Sequence, residues 1–327
     1  MDAIDRIEDC ELMPARKQFA VFGIALAVFG GSCLQTGQTS ILFVVCWLGY
    51  VLATSLGRSS WAGLALALPA AIKLYPLVFG IVPLIRRKWI EVPWGLVGLT
   101  LLVVVIPALV FRENFIELTK SFFAHQVLDP GGRVMTAASP TAVSNQGLDA
   151  VLLRYASYIP GLHNQPGAPP HLNFDPQSVL LLGNFLRVLI IAFTAFVSLK
   201  WLHAREDEPP LLLMALWCAA LYMVLPGAKS RYAIYALPAM LTMFAAAHRE
   251  FANGCARDGA RIATLAVVAC ALLLQMVPAY LLQFGVGYVG TLILWLFTVR
   301  EAWETSALPR RAGQNYASSG ERASDVL

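Results

Sequence analysis

Residues Trp61–Trp89, WAGLALALPAAIKLYPLVFGIVPLIRRKW, form an apolar run with one lysine in its middle and a basic stop behind it. A hydrocarbon core of ~30 Å takes about 20 apolar residues at ~1.5 Å of helical rise each. Trp61–Ile85 supplies them before Arg86, Arg87 and Lys88, so the run reads as one membrane-spanning helix whose basic end faces the cytoplasm. On that helix Lys73 lies ~18 Å from Trp61, near the bilayer midplane. A charge at that depth persists by facing a bundle interior or a water-filled cavity and finding a partner, which makes Lys73 a functional candidate. Pro69, Pro76 and Pro83 recur every seven residues and kink the helix, freeing carbonyls at Ala65, Ile72 and Phe79. A packing helix whose lysine only bonds one of those carbonyls is the plainer alternative.

The remaining chain agrees with a membrane. Hydrophobic residues make up 58% and charged residues 13%, which describes a polytopic membrane protein and excludes a water-soluble domain. The net charge of +4 falls in cytoplasmic-type turns, so it reports topology, not nucleic-acid affinity. The six cysteines show no CxxC spacing, and the loop between Phe111 and Gln177 has none, so neither a disulfide framework nor a zinc site is signalled. The acidic start and the lack of an A-x-A pattern after Gln18–Leu34 argue against a removable signal peptide.

Phe19–Leu34 is short for a span and reads as shallow or re-entrant, followed by Ile41–Leu56. With Arg86–Lys88 inside, GRSS at 57–60 is expected outside and Gln35–Ser40 inside. Val92–Phe111 then crosses outward into the single long hydrophilic loop, 112–176. Later apolar stretches are Ser178–Trp201, Leu211–Leu225, Tyr232–Ala247, Ile262–Phe284 and Val286–Val299. Basic residues on the intervening turns share the side of Arg86. The expectation is an all-α polytopic membrane protein of the inner (cell) membrane. It comprises a bundle over 1–299 with eight or nine spans, an extracytoplasmic loop 112–176, and a polar cytoplasmic tail over 300–327.

Within the loop, Phe115, Leu118 and Phe122, and then Leu148, Val151, Leu152 and Tyr155, repeat at helical spacing opposite charged residues. They predict two amphipathic helices on the outer membrane surface. The outward polar candidates are Asp129, Arg133, Asn145, Gln146, Asp149, Arg154, Asp175, Lys229 and Arg231, with His125, His163 and His171 read as surface groups. No HExxH or H-x-x-x-H spacing suggests a metal, and no G-x-S-x-G suggests a serine hydrolase. Arg187, about ten residues into its helix, is a second deep cation, with Asn184 one turn before it. Its counter-charge is an outer carboxylate or a lipid phosphate, unless the side chain snorkels outward.

GQTS at 37–40, GRSSWAG at 57–63, AAIKLYP at 70–76 followed by RRKW, and SNQGLDAVLLR at 144–154 occur in that order. Together they resemble glycosyltransferase family 87, over about residues 35–240. The resemblance implies a GT-C-like helix bundle and the transfer of a hexosyl group, mannosyl by family habit. The implied donor is a polyprenyl-phosphate sugar and the acceptor a lipid or glycan at the extracytoplasmic face. It implies no cofactor beyond the lipid-linked donor. Long members of the family carry an upstream loop with a catalytic Asp; no position here matches it, so the chain is expected to lack that N-terminal part. Asp149 and Asp129 are the carboxylates placed to act as base, and Lys73, Asn145, Gln146, Arg154, Arg187, Lys229 and Arg231 those placed to bind donor or substrate. A non-catalytic relative that binds lipid-linked sugar or a partner enzyme is the alternative. A transporter ranks third, because no second copy of the triple-proline helix appears.

Overall fold

The computed structural model describes residues 40–73, 75–122, 124, 145–164, 166–205, 210–225, 234–243, 258–274 and 279–307. Among these residues the regular elements are all helices. Helix α1 (Ser40–Ser55) ends at Gly57, whose φ of +68° lets Arg58 N–H reach the Ala53 carbonyl at 2.8 Å and Gly57 N–H reach Thr54 at 3.1 Å. That is the Schellman closure, and glycine is the residue that adopts it without strain. Helix α2 (Ser59–Ile72) runs back along α1, with Gly49 facing Ala65 and Leu42 and Phe43 reaching Pro69 and Ile72.

The single span expected over Trp61–Ile85 does not form. Helix α2 stops at Ile72, and Lys73 takes an extended conformation (φ −143°, ψ 132°). The cause is Pro76: its ring would strike the carbonyl four residues earlier, that of Ile72, and it offers no N–H to bond it. A 3-10 turn over Tyr75–Gly80 and helix α3 (Ile81–Ile85) then carry the chain back beside α2. Pro83 sits in the first turn of α3, where a missing N–H costs nothing. The return closes with a second Schellman motif, in which Lys88 N–H bonds Pro83 at 2.9 Å and Arg87 N–H bonds Leu84 at 3.1 Å. Here the left-handed position belongs to Arg87, at φ +54°.

Helix α4 (Glu91–Thr100) therefore starts at the end where α2 began, and the two run parallel. Gly63 lies against the backbone of Glu91 and Gly95, and Gly98 against Ala67 and Leu64. Small residues allow this close approach, as is common between helices in lipid. GRSS and Arg86–Lys88 thus share one end of the bundle, the basic end. This corrects the expected placement of GRSS opposite Arg86, and it moves Ser40, the described residue of GQTS, to the other end. Tyr50 Oη donates to Glu91 Oε2 at 3.1 Å with Arg86 beside both, and all three are buried. This cluster ties α1, the hairpin's return and α4 together.

Beyond α4, a π-helical segment (Leu101–Val105) and α5 (Ile106–Phe111) continue the apolar helix, and after a kink at Arg112 (φ +47°) comes the amphipathic α6 (Phe115–Phe122). Glu91–Ser121 and Pro176–Ala204 are the two described stretches long and apolar enough to cross a membrane, and most of their surface is exposed. In a bilayer that surface meets lipid.

After α7 (Leu148–Ala156) and the short α8 (Pro160–His163), helix α9 (Pro176–Arg205) returns toward the basic end, and α10 (Leu211–Val224), almost wholly buried, comes back. Helix α11 (Ile234–Met243) begins with Tyr235 packed edge-on to Phe43, centroids 4.8 Å apart. Helix α12 (Asp258–Leu274), the single turn α13 (Ala279–Leu282) and α14 (Val286–Ala307) complete the bundle. α14 runs parallel to α9, with Trp295 Nε1 donating to Thr194 Oγ1 at 3.0 Å and Lys200 Nζ over the Trp303 ring. α12 runs antiparallel to α14, with Arg261 paired to Glu301 and Glu304. Residues 300–307, expected in the tail, belong to α14, and 308–327 lie outside the described residues, as does the Phe19–Leu34 element.

Candidate active site

The end opposite the basic turns carries the loop, and α7 is set into it. Leu148, Asp149, Ala150, Leu153 and Arg154 are all buried, so α7 plugs the bundle where the sequence predicts a helix lying on the membrane surface. Its apolar stripe packs on protein, and its polar residues are buried with it.

Asp149 Oδ2 lies 2.5 Å from Arg187 Nη2, and Arg187 Nη1 donates to Asn184 Oδ1 at 2.9 Å. The deep cation thus has a carboxylate partner, one of the two choices the spacing left open. Gly183, one turn before Arg187, makes the room: a Cβ there would stand 2.5 Å from Asp149 Oδ1. Tyr288, at the start of α14, is in electrostatic range of both charges. Asp149 Oδ1, Arg187 Nε and Asn145 Nδ2 are buried without a hydrogen-bond partner among the described residues. Buried polar atoms are ordinarily satisfied, so the two orphans of the ion pair itself mark a place suited to water or a polar substrate group.

Arg154 is fully buried and works on backbone. Nη2 donates to the Asn145 carbonyl and Nη1 to that of Leu282 at 3.2 Å, an oxygen that also accepts from Gln146 Nε2 at 2.7 Å. Asn145 Oδ1 accepts from Gly147 N–H at 3.0 Å and shapes the entry to α7. Burial lowers the Arg154 pKa to about 10, so the guanidinium stays charged at neutral pH. Of Asn145, Gln146 and Arg154, expected to bind donor or substrate, Gln146 and Arg154 brace the loop onto Leu282, and Asn145 gives its carbonyl to Arg154. Gly285, at φ +65°, lies against Val151 at that joint.

Two further polar candidates are structural. His163 takes the Ile159 N–H on Nδ1 at 2.8 Å and meets the Arg154 carbonyl through Nε2 at 2.8 Å, with its ring 4.0 Å from that of His171. Asp175 caps α9 through the Ser178 N–H at 2.8 Å. Lys73 stands at the hairpin tip, on the loop end, beside a small pocket lined by Phe43, Pro69, Ile72, Pro76 and Tyr235. Asp129, Arg133, His125, Lys229 and Arg231 lie outside the described residues. Sequence reasoning missed Tyr288, Gly183 and the Leu282 carbonyl, whose parts come from pairings across the chain; a glycine one turn before a buried arginine was the available hint.

Ser40, Lys73, residues 145–154 and Arg187 thus converge on one end of the bundle, while GRSSWAG goes to the other. An all-α membrane protein with a braced polar cluster under a helical plug is the class that this fold and site define. A family model of glycosyltransferase family 87 matches residues 7–226, most of the chain, and the chain belongs to that family. It is a glycosyltransferase. The match begins upstream of residue 35, where the motifs alone first suggested it. Comparison with curated proteins and with solved structures gave no match.

Proposed function

We propose that this glycosyltransferase moves a hexosyl group, mannosyl by family habit, from a polyprenyl-phosphate donor to a lipid or glycan acceptor at the extracytoplasmic face. The observation that carries the reading is the convergence of motif segments far apart in the chain on the loop-bearing end. The opposite end holds the exposed cations Arg58, Arg87 and Lys88 with the exposed Trp61 and Trp89, a pattern that favours the cytoplasmic interface.

Transfer with inversion breaks the bond between C1 of the sugar and the lipid phosphate oxygen as an acceptor hydroxyl attacks C1 from the opposite face. The leaving phosphate gains negative charge, which preorganised cations stabilise. Lys73 and Arg187 are the described cations for that part, and Lys229 and Arg231 belong to it by sequence. The acceptor proton passes to a carboxylate, for which Asp149 and Asp129 are the candidates. Because Asp149 is paired to Arg187, a phosphate that drew on Arg187 would also loosen Asp149.

Purified protein in proteoliposomes, supplied with radiolabelled mannosyl-phosphoryl-polyprenol and membrane lipid extract, tests the reading. Label should move to lipid or glycan from the lipid-linked donor and not from GDP-mannose. Lys73→Met should cut donor binding while the thermal midpoint stays level or rises. Transfer from the nucleotide sugar alone, or undiminished donor binding by Lys73→Met, would overturn the donor assignment and the role of Lys73 respectively.

A further inference from the structure

A cavity of about 370 Å³ lies between α2, the returning 3-10/α3 arm and α4, on the side of the hairpin away from α1. Leu66, Ala70, Leu77, Leu84, Leu96 and Leu99 line it, and Glu91 alone among its lining residues carries a charge. An occupant with hydrogen-bonding groups would find almost nothing to satisfy them, so the walls select hydrocarbon. From Glu91 to Leu99 the cavity follows α4 for ~12 Å of helical rise, most of the ~15 Å that one leaflet contributes to a core of ~30 Å.

The fold keeps this space open where it has no need to. Gly80 sits at φ −60° and ψ −18°, a conformation any residue adopts, and a Cβ added there meets nothing within 4 Å. Glycine in a helical turn is the less stable choice, so its presence at the cavity wall favours volume over rigidity. The turn that joins the lining residues Leu84 and Glu91, at the basic end, carries charge. Arg87 occupies the left-handed position of the closing turn, where glycine is unstrained, and it is exposed beside the exposed Lys88. Trp61, Trp89 and Trp94, toward the same end of the bundle, are exposed at 62%, 65% and 43%. Amphipathic rings of this kind sit at the head-group level.

We propose that this cavity binds one acyl chain of an anionic phospholipid from the leaflet at the basic end, its phosphate held by Arg87 and Lys88. Basic pockets between membrane helices take anionic head groups, and each cation near the surface contributes about 1 kcal/mol, a factor of roughly five. The head-group end of this site is the basic end, whereas the far end of the cavity reaches Pro76, which also lines the pocket beside Lys73.

The test uses full-length protein in nanodiscs and phosphatidylglycerol carrying a diazirine on one acyl chain, with adducts located by peptide mass spectrometry. Adducts should fall on Leu66, Leu77 and Leu96. Gly80→Leu, which fills the cavity, should lower them at least tenfold with an unchanged thermal midpoint, and Leu77→Trp, at a half-exposed wall position, provides a second filling. Arg87→Gly should lower them about fivefold while the thermal midpoint stays level or rises, because it removes both a charge and a strained backbone. Phosphatidylcholine carrying the same diazirine should label weakly and not respond to Arg87→Gly. Undiminished phosphatidylglycerol adducts in both filled variants would overturn the site. Preferential displacement by undecaprenyl phosphate would overturn the occupant in favour of an isoprenoid chain.

Discussion

Arg187 and Asp149 hold α7 in the bundle through one contact between residues 38 apart. Their side chains are 15% and 12% exposed, so removing one partner leaves the other charged and largely desolvated. Arg187→Met should therefore cost about 3 kcal/mol of stability, and Asp149→Asn/Arg187→Met should recover part of it, because the double change leaves no unpaired ion. Thermal melts of the wild type, Asp149→Asn, Arg187→Met and the double variant in detergent measure this; additive losses would mean that the ion pair is not a unit. Arg154 offers a different case. Its fork serves two carbonyls in fixed directions, which an ammonium on a flexible stem does not reproduce, so Arg154→Lys should cost roughly 1 to 3 kcal/mol despite the kept charge. It should lower transfer by disordering the loop, and its membrane expression and melt are the measurements that check it. The sequence marked Asp149, Arg154 and Arg187 each as a candidate, yet it could not say which of them face each other. Spacing along one helix gives Asn184–Arg187, whereas the Asp149–Arg187 pairing depends on how the loop folds over the bundle end.

At the scale of elements, the hairpin is where sequence reading and structure part. The Trp61–Trp89 run has the length and hydropathy of a single span, and a hydropathy window does not register where helical hydrogen bonding stops. The signals of a break were present: Lys73 three residues ahead of Pro76, and a proline pattern read as kinks. What decided between kink and turn is packing, with Gly63, Gly95 and Gly98 letting α4 lie parallel to α2 while α3 closes the other side. The two kinds of glycine predict opposite outcomes. Gly63→Ala would push a Cβ into the Glu91 carbonyl and the Gly95 amide, costing about 3 kcal/mol or more. Gly80→Ala meets open space at a helical φ and should be neutral or stabilise by up to about 1 kcal/mol. Equal losses in paired thermal melts would contradict this account of the hairpin.

For the whole molecule, the helical membrane class was plain from composition, and the family could be read from four short segments in order. Which segments share an end was not legible, since an undetected turn reverses everything before it. That reversal brings Ser40 and Lys73 to the same end as residues 145–154, which is the basis of the candidate site. The direct test is side-specific labelling in a cysteine-free background, with the six native cysteines replaced. Single changes Arg58→Cys, Lys88→Cys and Leu172→Cys, all at exposed positions, would be treated with a membrane-impermeant maleimide in intact spheroplasts and again after permeabilisation. The account predicts that Leu172→Cys is labelled in intact spheroplasts, and Arg58→Cys and Lys88→Cys only once the membrane is opened. Labelling of Arg58→Cys and Lys88→Cys from opposite sides would contradict it, because the segment between them would then cross the membrane once.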